Sequence, residues 1–285
     1  MRFGVREVSD IIFKTKTANQ VVGATTFATA GTPVMYIDSA KMTSLENAVA
    51  TVYAQGGRGN PRLLAWDGDR TAVFKFEKAI ISLDGLAVLT GSGIATGSTQ
   101  LIRQQIQFKA AGTSYVATPT IPSGATIAYV AAGTYGGATV AGATMNLITL
   151  DSTGDIAGVT AIGITTGSAT GFTVTGVTSG NNYIVDFYVI ANGRQLQIEA
   201  GRFAGYYYIE ANTLFRDLNG ADHAAQITIP KGKVKSNFTL TMSPTGDPST
   251  FTFEVDALPD YTSFVSDKKV LYTLDLIDAA VTDTL

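Results

Sequence analysis

Apolar and polar residues alternate one for one in several stretches of this chain. A period of two is satisfied only by extended backbone with one face buried. In FTFEVD, Phe251, Phe253 and Val255 fall on one face and Thr252, Glu254 and Asp256 on the other. AVFKFE (Ala72–Glu77) sets Phe74 and Phe76 against Lys75 and Glu77, and QLQIE (Gln195–Glu199) and FTLTM (Phe238–Met242) repeat the pattern. SPTGDPS (Ser243–Ser249) supplies the Pro, Gly and Asp that a hairpin connection between FTLTM and FTFEVD requires. The expected class is all-β and mainly antiparallel, a barrel or sandwich.

Two segments carry helical signals. SLDGLAVLTGSG (Ser82–Gly93) places Leu83, Leu86, Ala87 and Leu89 on one helical face, with Gly91 as a C-terminal stop and Gly85 as a weakness. TSLENAVATVYA (Thr43–Ala54) is mixed. Thr43 and Glu46 stand at capping-box spacing, whereas Val49, Thr51 and Tyr53 alternate, so its second half is expected as strand.

Charge divides the chain. From Ala110 to Val185 the only charged residues are Asp151 and Asp155, and short strand candidates (TIAYVAA, TMNLITL, GFTVTGV, NYIVDFYVI) are separated by glycine-bearing turns. A disordered Gly/Thr/Ser linker would lack the Ile, Val and Tyr seen here. The expected organisation is therefore residues 1–110 and 183–285 as two parts of one β domain, with 111–182 inserted as a small β-sandwich.

The same composition excludes several functions. No apolar run reaches the roughly 20 residues of a membrane-spanning helix, and the charged start MRFGVREVSDIIFKTKT has no apolar signal-peptide core. With no cysteine, disulfides, thiolate catalysis and Cys-based zinc sites are ruled out. A net charge of −3 gives no footprint for gripping nucleic acid. Only 15% of residues are charged, against about 25% in an average domain. Such a surface suits coverage by other protein.

The stretch most like an active site is GGRGNPRLLAWDGDRT (Gly56–Thr71). It lacks the Lys-Ser/Thr of a phosphate-binding loop, and Asp67 and Asp69 lack the downstream glutamate of a calcium loop. Asp67–Gly68 between RLLAW and TAVFKF is instead the short-range signal of a tight hairpin turn. His223, the single histidine, has no second His or Cys to work with and is expected in a loop. DSTGD (Asp151–Asp155) reads as a turn. In YYYIEANTLFR (Tyr206–Arg216), Tyr206 and Tyr208 face opposite to Tyr207, so the row is packing or interface rather than a stacking platform. Asn237–Thr239 is a glycosylation sequon without a secretion signal. No catalytic, cofactor-binding or metal-binding residue is expected, and no enzymatic activity.

GGRGNPRLLAWDGDRTAVFKFEKAIISLDGLAVLTGSG resembles a segment common in bacteriophage virion proteins, where a hairpin leads into a strand and a short helix. GYYYIEANTLFRDLNGADHAAQITIPKGKVKSNFTLTMSPTGDPSTFTFEVDAL (Gly205–Leu258) resembles the second half of phage tail tube (major tail) proteins; together the two cover about a third of the chain. The resemblance implies a homo-oligomer of stacked, commonly hexameric rings, located in the virion tail and assembled in the host cytoplasm. Phage DNA would pass through the lumen without specific binding and without a cofactor or membrane. A tail sheath protein and tail terminator or baseplate proteins are the implied further partners. Ala110–Val185 matches nothing in that pattern and would be an Ig-like insert on the outer face. Glu254 and Asp256 are the leading lumen-facing candidates, and a pI of about 5.2 would suit a phosphate-repelling bore. A capsid or decoration protein and a carbohydrate-binding adhesin are the alternatives.

Overall fold

The computed structural model describes residues 2–280 except 24, 79–81, 128–132, 136–137, 141–144, 163–166, 169–170, 239–249 and 264–265. The chain divides into two compact units, Met1–Ile94 with Leu196–Leu285, and Ala95–Gln195. The second unit is wider at both ends than the charge-poor segment 111–182.

The first unit opens with β1 (Phe3–Val5), β2 (Asp10–Thr15), β3 (Gln20–Val22), β4 (Thr25–Phe27), β5 (Pro33–Ile37), β6 (Ala40–Gln55) and β7 (Arg62–Lys78), followed by α1 (Leu83–Thr90). Next come β8 (Gly93–Lys109), β9 (Ser114–Ala117), β10 (Thr126–Ile127), β11 (Gly133–Tyr135), β12 (Ala138–Val140) and β13 (Met145–Leu150). They are followed by β14 (Ile156–Ile162), β15 (Gly167–Ser168), β16 (Gly171–Thr175) and β17 (Asn182–Gln197). The chain ends with β18 (Tyr206–Asp217), β19 (Asp222–Val234), β20 (Phe251–Ala257) and β21 (Thr273–Ala280).

In the first unit one antiparallel sheet runs β5-β2-β18-β19-β20-β7-β6, with β1 added to β18 and β21 to β19. The period-two residues do what their pattern requires. Phe251, Phe253 and Val255 of β20 and Phe74 and Phe76 of β7 are buried together, and Phe76 stacks on Phe253 at 4.8 Å. Phe13 of β2 also reaches Phe76, with ring centroids 5.8 Å apart, although β18, β19 and β20 lie between their strands. The sheet is therefore rolled onto its own inner face. Among the described residues it does not close into a barrel; β5 and β6 remain its two ends.

Helix α1 packs against this core. Ser82 caps its start, its Oγ accepting from the Gly85 N–H at 3.1 Å. The buried arc contains Gly85, Val88 and Leu89, at i, i+3 and i+4, while Leu83 is exposed. A Cβ at Gly85 would lie 3.1 Å from the Ser82 Oγ that caps the helix, so glycine leaves that cap undisturbed. Gly91 ends the helix in the left-handed region (φ 72°), and a Cβ there would lie 2.2 Å from the Phe203 carbonyl oxygen. Only glycine satisfies both demands.

Asp67 and Gly68 are not the hairpin turn. β7 runs through both, and Thr51 pairs with Asp67 across the ribbon. The turn is Gly56–Pro61, where Gly57, Asn60 and Gly59 adopt φ of 85°, 51° and 87°. Gly68 marks a bulge instead: pairing passes from Val49–Arg70 to Thr51–Asp67, leaving Gly68 and Asp69 opposite Ala50. A Cβ at Gly68 would approach the Ala50 carbonyl oxygen to 3.2 Å, which favours glycine there without any turn. The capping-box spacing of Thr43 and Glu46 also yields to strand, because Ala40–Gln55 runs along β7, with Thr43 opposite Phe76 and Glu46 opposite Val73. The SPTGDPS connection and most of FTLTM lie outside the described residues, though Phe238 packs on Phe251 at 5.9 Å.

In the second unit the sheet β10-β17-β13-β14, with β8 added to β17, faces a three-stranded sheet β15-β16-β9. Phe172 of β16 and Phe187 of β17 meet edge to face at 5.2 Å, and Phe108 stacks on Tyr115 at 3.7 Å. Buried Val174, Val185 and Val189 join this small sandwich core. The Arg103–Asp186 ion pair (2.5 Å) belongs to this unit, so the return of charge at Asp186 does not mark its end.

Candidate functional site

The feature that stands out chemically is a ribbon, not a pocket. β20 pairs with β7 only over Ala72–Lys78. From Arg62 to Thr71 the outward edge of β7 has no strand partner among the described residues, and β6 is the terminal strand of the sheet. Beyond the core the two strands pair only with each other, forming an arm with two free edges.

Both faces of this arm are apolar. Val52 pairs with Trp66 and Ala54 with Leu64 on one face; Tyr53 pairs with Ala65 on the other, where the Arg62 guanidinium lies 4.1 Å from the Tyr53 ring centre. Leu63, Leu64 and Trp66 are 63%, 61% and 55% exposed. An isolated two-stranded ribbon is at best marginally stable in water. Free edges and a continuous apolar surface are features that monomeric proteins suppress. Arg58 and Arg62 at the tip have no carboxylate partner among the described residues. The arm thus offers backbone hydrogen bonds, apolar area and uncompensated positive charge.

Glu254 and Asp256 lie where the alternation puts them, on the polar face of β20, but not as free acids. Lys235 reaches Glu254 at 3.4 Å and Asp256 at 3.0 Å; Lys75 reaches Glu254 at 3.9 Å and Glu46 at 3.0 Å. The hydrogen bond to Asp256 holds the Lys235 ammonium above its ordinary pKa. Three carboxylates and two ammonium groups make a charge ladder with one negative charge in excess.

His223 is buried in β19 rather than placed on a loop. Its Nδ1 faces the Ile277 carbonyl at 3.2 Å and its Nε2 lies 3.7 Å from Asp217. It is a packing residue between β19 and β21. Asp217 accepts from the Asn219 and Ala221 N–H groups in the β18–β19 turn, chiefly the Ala221 bond lowering its pKa. Tyr207 points inward, and burial pushes its hydroxyl up to about 12. Tyr206 points outward between Lys231 and Lys233, whose ammonium groups lie 5.0 and 5.2 Å from its ring centre. Asp151 and Asp155 close a surface turn through Thr153. No group of three or more His, Cys, Asp or Glu able to hold a metal occurs among the described residues, and no described helix is long and apolar enough to cross a membrane.

Sequence reasoning missed the arm. Its signal was the run LLAW, which breaks the alternation and therefore cannot bury all its apolar side chains against one core. No curated protein matches the sequence. Residues 3–268, nearly the whole chain, match the YomU/Tube protein family, and the chain belongs to it.

Proposed function

We propose that the chain is the repeating subunit of a phage tail tube, whose copies close into rings, hexameric as in similar tubes, and stack into a conduit for DNA ejection. The family is a structural one, not an enzymatic one. The observation that carries the reading is the arm, whose exposed apolar faces and free edges need a partner. The open ends of the rolled sheet support it. When β6 of one copy pairs with β5 of the next, each copy uses two different edges, and repetition of a head-to-tail contact closes a ring without leaving an edge free.

In that assembly the ladder holding Glu254 and Asp256 lines the bore. Its excess negative charge and the acidic pI of about 5.2 disfavour phosphate binding, so DNA slides rather than sticks. The unit Ala95–Gln195 has its own core and is dispensable for assembly. A tail sheath protein and terminator or baseplate proteins would meet the outside and the two ends. Electron microscopy of the purified protein tests the reading: hollow tubes or stacked rings are expected. Polyhedral shells would assign it to a capsid, and monomers at every concentration would contradict it. Replacing 95–195 by a short Gly/Ser linker should leave the tubes intact.

A further inference from the structure

We infer that a groove beside β18, β19 and β21 receives the arm tip of a neighbouring copy; this rests on the tube reading and names the surface that the arm meets. The groove has a volume of about 600 Å³, within the range of sites that enclose a small ligand or a few side chains. Val8, Leu214 and Ile277 give it apolar walls, and Glu7, Asp10 and Asp275 give it acidic ones.

Two of these acids, Asp10 and Asp275, have no counter-charge among the described residues. Asp10 accepts only from the Tyr36 hydroxyl, at 3.3 Å, and Asp275 only from the Thr273 hydroxyl, at 3.0 Å; neither has an ion pair among the described residues. Two arginines beside the groove residues in sequence are already engaged. Arg216 holds Asp222 through two hydrogen bonds, and Arg6 is shared between Asp222 and Glu7, which lies 3.6 Å away.

The arm tip has the complementary make-up. Arg58 and Arg62 are cations without carboxylate partners among the described residues, and Leu63, Leu64 and Trp66 are apolar side chains without cover. A guanidinium fork matches a carboxylate geometrically, and aliphatic walls accept Leu or Trp without leaving a polar group unpaired. Apolar area with positive charge thus meets apolar area with negative charge. Among the described residues Arg58 and Arg62 make no ion pair with Asp10 or Asp275 of their own chain, and the matching charge and apolar make-up names the arm of a second copy as the occupant.

Cysteine-free sequence makes the test direct. Arg58→Cys and Ile277→Cys, prepared as separate variants, are mixed before assembly and oxidised. A mixed disulfide dimer is expected, because a bridge forms only where the two Cα atoms come within about 7 Å. Arg58→Cys mixed with Val21→Cys, which lies at the opposite end of β18 from the groove, is the control and should give none. In parallel, Asp10→Lys with Asp275→Lys should raise the concentration for half-assembly at least about tenfold. Adding Arg58→Glu and Arg62→Glu to that variant should restore assembly. Tubes that form without the mixed disulfide and without the concentration shift overturn the groove assignment and leave the tube reading standing. A wild-type chain that never assembles overturns both.

Discussion

Strand β7 leads two different lives along its length. From Ala72 to Lys78 it is paired on both sides, by β6 and β20, and Phe74 and Phe76 are sealed in the core. From Arg62 to Thr71 it is paired on one side only and exposed throughout. The inner half reads as clean alternation, and its own sheet satisfies it. The outer half reads as an apolar run followed by charges, and nothing among the described residues covers it. Apolar side chains that continue after alternation stops mark a surface that the described chain leaves uncovered.

Truncating a side chain in each half separates folding from assembly. Phe76→Ala should lose about 3–5 kcal/mol of monomer stability in a denaturant titration, because it empties the space between Phe13 and Phe253. Such a loss is a large part of the 5–15 kcal/mol typical of a domain. A loss under about 1 kcal/mol would mean that the rolled sheet is not packed through these rings.

Two left-handed glycines extend the contrast. Gly91→Ala should cost well above the roughly 1–2 kcal/mol of a left-handed alanine, because its Cβ must also displace the Phe203 carbonyl. Gly57 has the same handedness (φ 85°) but nothing within 4 Å of a built Cβ, so Gly57→Ala should cost only that conformational term of about 1–2 kcal/mol. Thermal melts of the two variants check the ordering.

On the arm, Leu64→Ser with Trp66→Ser should change monomer stability by no more than about 0.5 kcal/mol. The same pair should abolish tubes in electron microscopy. Normal tubes from this variant would remove the arm from the assembly.

Acid should loosen the β18–β19 end, with the smallest effect of the series. Arg216, above all, lowers the Asp222 pKa below its ordinary 3.8, and the Ala221 N–H does the same for Asp217. A carboxylate depressed in the folded state binds more protons unfolded, so its stabilisation is present above the unfolded pKa and lost as pH falls through the folded one. Asp222→Asn should flatten the acid limb of a stability profile below about pH 4. An unchanged limb would mean that these ion pairs are too well solvated to matter.

How much of this was legible follows from the range of each signal. Alternation is local, so FTFEVD and AVFKFE announced their buried faces, and Ser82 and Gly91 lie beside the helix ends they cap. The Asp67–Gly68 dipeptide is also local, but a bulge and a turn demand the same small residue, and only the length of the pairing decides between them. Lys75 and Lys235 come to Glu254 from other strands, so the face of Glu254 and Asp256 was readable while its neutralisation was not. His223 looked like a loop residue because its neighbours are small and polar; its partners, Ile277 and Asp217, arrive from other strands. Loss of charge marked the centre of the second unit but not its ends, where β8 and β17 pair while carrying charges of their own.

Hydrogen exchange on assembled and dissociated protein tests most directly the claim that the arm is an uncovered assembly element. In the dissociated chain the amides of Arg62–Thr71 should exchange fast and those of Ala72–Lys78 slowly, since only the latter segment is clamped between two strands. On assembly the outer segment should gain strong protection while the inner one changes little. An outer segment that exchanges at the same rate in both states would contradict it.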